Sequence, residues 1–475
     1  LGGDDPRQRA GRDRARFPRS ALTGPGLDLR GDAAAIWSAA LAAGDVAPLL
    51  RASLRCEGTI LQFADCRIDL DGIDDIVVLG CGKAGAAMAQ AVEEILGDRI
   101  AGGLVVVKDG HAVPTRVISV VEAGHPVPDE RGQRAASRLL DLASGAGPRD
   151  LVLFLVSGGG SALTPAPAAP ITLAEKQAVT RGLLGAGAAI GELNAVRKHL
   201  SRFKGGQLAR AASPARVLTL VLSDVIGDPL DAIASGPTAP DPSTFADALA
   251  VLRARGLAKS VPASVGDRLR AGVRGEIAET PKPGDPIFER VSHVVIGNNA
   301  LVASAAVARA RALGYRPELH TRSLEGEART AARALVERAR TLPPRSCLIA
   351  AGETTVTVRG AGRGGRCQEF ALAAALEIDA DDDIAVLAAG TDGTDGPTDA
   401  AGGLVDGGTV ARGRRAGRDA KASLDDNDAY HFLSASGDLV VCGPTRTNLL
   451  DLYVVLRGER RPSRLAAARS VSEPV

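Results

Sequence analysis

The residues in this sequence whose types and spacing suit chemistry are cations and carboxylates set in glycine-rich segments. Gly80-Cys81-Gly82-Lys83-Ala84-Gly85 closes an apolar run and opens a helical pattern. It satisfies G-x-G-x-x-G, the spacing of a dinucleotide site, but the next strand should then end in an acid for a ribose hydroxyl. That strand ends Val107-Lys108-Asp109, cation first. Lys83 falls instead at a helix N-terminus, where backbone N–H groups favour a carboxylate or phosphate. Ser157-Gly158-Gly159-Gly160-Ser161 follows the run LVLFLV. Three glycines let the backbone curl into a nest of N–H donors, and without a following G-K-[ST] this is no Walker A loop. The blander readings are a packing turn for the first segment and a mobile loop for the second.

Four further stretches carry charge. Asn194, Arg197 and Lys198 lie in a cation-rich helical segment, and adjacent Arg197 and Lys198 cannot share one helix face, so only some of these groups can reach a ligand. Asp224 ends an apolar strand, where a carboxylate holds Mg²⁺ or accepts a proton from an attacking hydroxyl. Glu353 ends another strand, before a glycine-rich loop that leads to Arg366, whose fork matches phosphate oxygens. Asp392 and Asp395 sit in GTDGTDGPTD, which lacks the closing Glu of an EF-hand and suits Mg²⁺–nucleotide binding better. No Ser/His/Asp triad spacing appears, and His125, before Pro126, reads as a structural loop residue.

The elements that must position these groups are legible as short apolar runs that end in Gly or small polar residues: 76–80, 103–107, 151–161, 217–224, 293–299, 346–353 and 384–393. Helical patterns fit between them at 84–96, 129–143, 172–188, 205–212, 299–313 and 325–340. Continuous apolar strands alternating with helices predict an α/β fold with parallel sheet covered on both faces, and ligands then bind beyond the strands' carboxyl ends. At 475 residues the chain exceeds one ordinary core. Apolar periodicity is lost near 272–288, the expected boundary. Residues 1–31, Arg-rich and without an apolar segment, read as a disordered tail, and the stretch beyond about 458 as frayed.

Composition is that of a globular protein, 45% hydrophobic and 24% charged, with a formal net charge of +1, so no global field favours nucleic acid or a membrane. No apolar run reaches the ~20 residues of a bilayer span. The six cysteines show no zinc spacing and read as reduced thiols in a cytoplasmic protein.

Taken together, GCGKAG, AGHPVPDE, VSGGGSAL, LNAVRKHLSRFKGGQLA, SDVIGDPLDAIASGPT, GETTV, GRGGRCQEFAL, GTDGTDGPTDAAGG and GPTRTNLLDL resemble the class II glycerate 2-kinases, the family with a C-terminal MOFRL domain. They fall in the family's order over roughly residues 32–456. The resemblance implies a Rossmann-like doubly wound N-terminal domain (32–275) and a smaller α/β C-terminal domain (285–460, MOFRL region about 345–456), with the active site in the interdomain cleft. It implies phosphoryl transfer from ATP, with Mg²⁺, to the 2-hydroxyl of D-glycerate. Lys83 and Arg366 become the catalytic cations and Asp224 their acidic partner. Ser157, Gly158, Gly159, Gly160, Ser161, Asn194, Arg197, Lys198, Glu353, Asp392 and Asp395 become substrate- or phosphate-binding, and Asp224 and Asp392 the Mg²⁺ ligands. Partners are small molecules, with a homodimer left open. Cys367 stands where the family pattern leads one to expect Asn, and a thiol there would make the site oxidation-sensitive. Leu450 stands where a polar residue is common. An NAD(P)H-dependent hydroxypyruvate reductase and a non-catalytic sugar-acid-binding regulator are the alternatives.

Overall fold

A computed structural model describes residues 28–459. Within it the chain divides into two units, 45–298 with 446–449, and 28–44 with 299–445 and 450–459. The expected boundary at 272–288 moves to 298/299. The Pro/Gly-rich stretch is only an excursion, because the chain returns from it to add one more strand to the first unit's sheet.

The first unit opens on the helix Val46–Ser53, followed by a small antiparallel sheet of β1 (Leu54–Glu57), β2 (Ile60–Phe63) and β3 (Cys66–Asp69). Its main sheet holds β4 (Ile76–Cys81), β5 (Ile100–Lys108), β6 (Ile118–Ala123), β7 (Leu151–Ser157), β8 (Arg216–Leu222) and β9 (Val291–Gly297). Every pairing is parallel, in the order β6-β5-β4-β7-β8-β9. Counted from β4 this is 3-2-1-4-5-6, the doubly wound dinucleotide-fold order. β7 is buried along its whole length, which is why LVLFLVS is continuously apolar. Helices Gly85–Leu96, Glu130–Ser144 and Leu173–Gly185 fall within a few residues of their expected ranges. The order reverses between β4 and β7, so the loops after these two strands flank the switch point.

The second unit also has a six-stranded sheet, of β10 (Arg316–Leu324), β11 (Ser346–Gly352), β12 (Ile384–Gly390), β13 (Gly402–Asp406), β14 (Leu439–Val440) and β15 (Asp451–Arg457), in the order β10-β11-β15-β12-β13-β14. Here the expectation of a parallel sheet is corrected. Only β10–β11 is parallel, and β15 runs antiparallel between β11 and β12. A strand buried on both faces is continuously apolar whichever way its neighbours run, so the apolar runs were blind to direction. β11 and β12 are buried throughout.

The helix Leu29–Ala43 belongs to this second unit, which corrects the expected tail for residues 28–31. Arg30 pairs with Asp406 at 2.8 Å and Asp438 at 2.9 Å, and Tyr315 donates to Asp32 at 2.7 Å. The rest of that expected tail, and the segment beyond 459, lie outside the described residues. No single helix among the described residues is long and apolar enough to cross a membrane.

Candidate active site

Each unit carries its own cluster of the expected residues. In the first, adjacency of β4 and β7 brings Lys83 to the triple-glycine loop although 74 residues separate Lys83 from Ser157. The Lys83 N–H donates to the Gly158 carbonyl at 2.8 Å, and the Ala84 N–H donates to Ser157 Oγ at 3.0 Å. Gly82 has φ +127°, and a Cβ there would collide with Ser157. Glycine is therefore required for the two loops to cross this closely.

Asp224, two residues past β8, joins the same cluster. Its Oδ2 accepts from Asn448 Nδ2 at 2.9 Å. Both groups press on the loop so closely that a Cβ at Gly158 would collide with each. The His125 ring stands against Gly159, which places the AGHPVPDE segment beside the loop. Gly158→Ala is expected to push Asp224 and Asn448 off the loop and to lower kcat by ~10² or more, the scale of a 1 Å misplacement. Steady-state kinetics checks this, with far-UV circular dichroism reporting the fold.

Ser161 extends the cluster inward. Its Oγ lies 2.9 Å from Ser235 Oγ, which donates to Asn194 Oδ1 at 3.0 Å. Asn194 is buried and so braces the loop from behind. The two adjacent cations part company. Lys198, 2% exposed, pairs with Asp231 at 3.0 Å and Asp241 at 3.2 Å. Its expected ligand role is corrected, because its charge is already matched inside the fold. Arg197, turned about a quarter of the helix away, lines a cavity with Ser161.

In the second unit Arg366 opens the helix Arg366–Glu377. Its Nε and Nη2 donate to Asp451 at 2.6 and 2.9 Å, and Nη1 pairs with Glu353 at 2.9 Å. Asp451, missed in the sequence reading, is level with Gly352 of β11 and Gly390 of β12, at the ends of both strands. The Asp451 side chain is inaccessible, that of Glu353 half exposed, and the Arg366 guanidinium, though partly desolvated, is held charged by the two carboxylates.

Asp395 is reassigned. Its carboxylate accepts the N–H groups of Cys367 at 3.2 Å and Gln368 at 2.8 Å, closing the helix N-terminus. Burial pushes its carboxyl up to about 7, against these two N–H donors. Asp392 turns inward, with Oδ1 accepting the Thr394 N–H at 3.0 Å. Cys367 is fully buried, and burial drives its thiol pKa well up, so the expected oxidation sensitivity is corrected as well. Leu450 sits at φ +68° with its side chain buried, and its carbonyl accepts from both Thr391 N and Oγ1.

Among the described residues no group of three or more His, Cys, Asp or Glu side chains is arranged to hold a metal ion. Asp224, pressed against the glycine nest, fits a different arrangement, in which Mg²⁺ takes one or two carboxylates and completes its shell with phosphates and water.

Residues 32–270 match a family model described as a domain of unknown function, DUF4147, and residues 346–451 match the MOFRL family. The chain is 44% identical to a D-glycerate 2-kinase of Thermotoga maritima, over 81% of this chain and 91% of that protein. It is 40% identical to a glycerate 2-kinase of Pyrococcus horikoshii, over 81% and 88%. A protein of Agrobacterium vitis with the provisional name hydroxypyruvate reductase is 45% identical over 80% and 87%. Among solved structures, a Thermotoga maritima glycerate kinase superposes with a TM-score of 0.77 at 40% identity, covering 90% of this chain and 99% of that one. With this sequence similarity running through both units, and with this fold, the chain belongs to the glycerate kinase family that carries a MOFRL domain.

Proposed function

We propose that this enzyme transfers the γ-phosphoryl group of ATP to the 2-hydroxyl of D-glycerate, giving 2-phosphoglycerate and ADP. The observation that carries the reading is the convergence of Lys83, the 157–161 nest and Asp224–Asn448 at the switch point of a doubly wound sheet, in a chain 44% identical to a D-glycerate 2-kinase. Phosphoryl transfer asks for positioning and charge neutralisation more than for covalent chemistry, and this cluster supplies both. Lys83 and the nest hold anionic oxygens. Asp224, oriented by Asn448, accepts the proton of the 2-hydroxyl as its oxygen bonds to phosphorus and the bond to the ADP oxygen breaks. To Arg366, held by Asp451 and Glu353, we assign neutralisation of charge on the transferring group. Asp224 would also be the protein carboxylate for Mg²⁺, which would supply further neutralisation of phosphate charge.

The reductase alternative is disfavoured by one feature. The acid after β5 is Asp109, and Arg131 already holds both of its oxygens, at 2.7 and 2.9 Å. A ribose hydroxyl would have to displace that fork.

Incubation with ATP, Mg²⁺ and D-glycerate, coupled directly through enolase, tests the reading. The 2-phosphate product is dehydrated at once, whereas a 3-phosphate product needs a mutase first. Chelation with EDTA is expected to abolish turnover and Mg²⁺ to restore it. NADH oxidation with hydroxypyruvate, without ATP turnover, would refute the proposal.

A further inference from the structure

A cavity of about 200 Å³ opens beside the triple-glycine loop, and its charge is one-sided. Ser161, Lys176, Gln177, Arg181 and Arg197 line it together with prolines, leucines and Val127, and among the described residues no Asp or Glu does. Lys176 is 6% exposed, and among the described residues its Nζ reaches only the Leu200 carbonyl, at 3.4 Å. Arg197 is half-buried, and among the described residues no carboxylate pairs with it. Directly behind Ser161, fully buried Lys204 donates to the Ser161 carbonyl at 2.7 Å.

Three basic side chains thus share a buried neighbourhood in which no acid among the described residues pairs with them. The contrast with Lys198, one residue from Arg197 and matched by two aspartates, excludes a general shortage of acids in this part of the fold. Unpaired buried charge is costly, so such a group sheds its proton more readily when the cavity is empty and becomes a ready partner for an anion that enters. We infer that the cavity is a subsite for a small organic anion, and that Arg197 and Lys176, backed by Lys204, bind the carboxylate or phosphate of a reactant beside the 157–161 loop. The identity of the anion as a reactant rests on the kinase reading above; the anion site itself does not.

The cluster's titration gives a signature that packing alone does not. Burial, then the positive charges of Arg197 and Arg268, lower the Lys176 pKa to about 7. Burial, then Arg197 and Lys176, depress Lys204 well below its ordinary value, with only the Cys81 thiolate, were it ionised, acting the other way. Of the other charged groups nearby, Arg181 also lines the cavity, and Glu175 is engaged by Thr172 and Ser264. Above pH 7 the free protein therefore holds Lys176 largely neutral. An arriving anion favours the ammonium form, so binding takes up a proton, and affinity falls by up to about tenfold per pH unit above pH 7 for each proton taken up.

The test uses the full chain and isothermal titration calorimetry with D-glycerate, ATP and sulfate, in buffers of differing ionisation enthalpy at pH 7 and 9. Wild-type protein is expected to take up protons with at least one ligand. Arg197→Met and Lys176→Met are each expected to weaken that ligand about tenfold or more and to abolish or reduce the uptake. Because each variant removes an unmatched charge, its stability to urea should hold or rise, the opposite of losing a structural ion pair. A defect confined to D-glycerate assigns the subsite to the acceptor's carboxylate; one confined to ATP and sulfate assigns it to phosphate. Unchanged affinities for all three ligands in both variants would overturn the inference, as would lowered stability without a binding defect. If the wild type phosphorylates D-glycerate but the variants bind normally, the subsite fails and the kinase reading stands. If the wild type binds an anion here without turnover, the reverse holds.

Discussion

Arg366→Ala is expected to destabilise the protein and suppress turnover, and adding Asp451→Asn is expected to restore the stability but not the turnover. Arg366 makes two hydrogen bonds to a carboxylate with no accessible surface, and it also pairs with Glu353. Without the guanidinium, Asp451 keeps the Tyr453 hydroxyl, at 3.1 Å, and the buried Cys367 thiol, neither of which carries a positive charge. Stranding a buried charge in this way costs about 3–5 kcal/mol. An asparagine at 451 has nearly the same shape and no charge, so the double variant should recover most of that loss. If Arg366 also neutralises charge in the transition state, kcat of the double variant should stay down by ~10²–10³. Arg366→Lys should fall between, since an ammonium cannot reproduce the planar fork that spans both Asp451 oxygens and Glu353. Urea unfolding run beside steady-state kinetics separates the two roles. Recovery of turnover together with stability would confine Arg366 to holding the second unit together.

Lys83→Ala should show the opposite pattern, a catalytic loss with little effect on folding. The contacts that build the loop crossing at Lys83 come from the backbone, its N–H to the Gly158 carbonyl and the next N–H to Ser157 Oγ, and alanine keeps both. Stability should change by no more than about 1 kcal/mol, the range for an exposed or partly exposed charge. If the ammonium holds an anionic oxygen at the switch point, kcat/KM should drop ~10²–10³. Lys83→Arg, which keeps the charge but changes its reach, should recover only part of that loss. Near-wild-type kinetics for Lys83→Ala would remove it from the site while leaving the fold assignment intact.

Much of this is legible in the sequence itself. The runs at 76–80 and 151–161 begin with continuous apolar residues because both faces of β4 and β7 are covered, and a polar residue where such a stretch ends sits at a strand end whatever the topology. Lys83, the glycine triplet and Asp224 were therefore identifiable as strand-end groups from type and position alone. The helices after β4 and β6 followed from 3.6-residue periodicity and close-fitting boundaries.

Pairing across long separations was decided only by the tertiary structure. Asp451 meets Arg366, 85 residues away, because β15 inserts antiparallel between β11 and β12 and places Asp451 level with Gly352 and Gly390. No local pattern carries that register. Nor does sequence distinguish Arg197 from Lys198, neighbours on one helix. Their directions differ by about 100°, and only the fold shows that Asp231 and Asp241 wait on one side and an acid-free cavity on the other. Asp395 reads in sequence like its neighbour Asp392, yet it is consumed by the first N–H groups of a helix that begins 29 residues earlier. Residue type sets what a side chain can do. Burial and the nearest opposite charge, both products of long-range packing, decide which of these possibilities remains open.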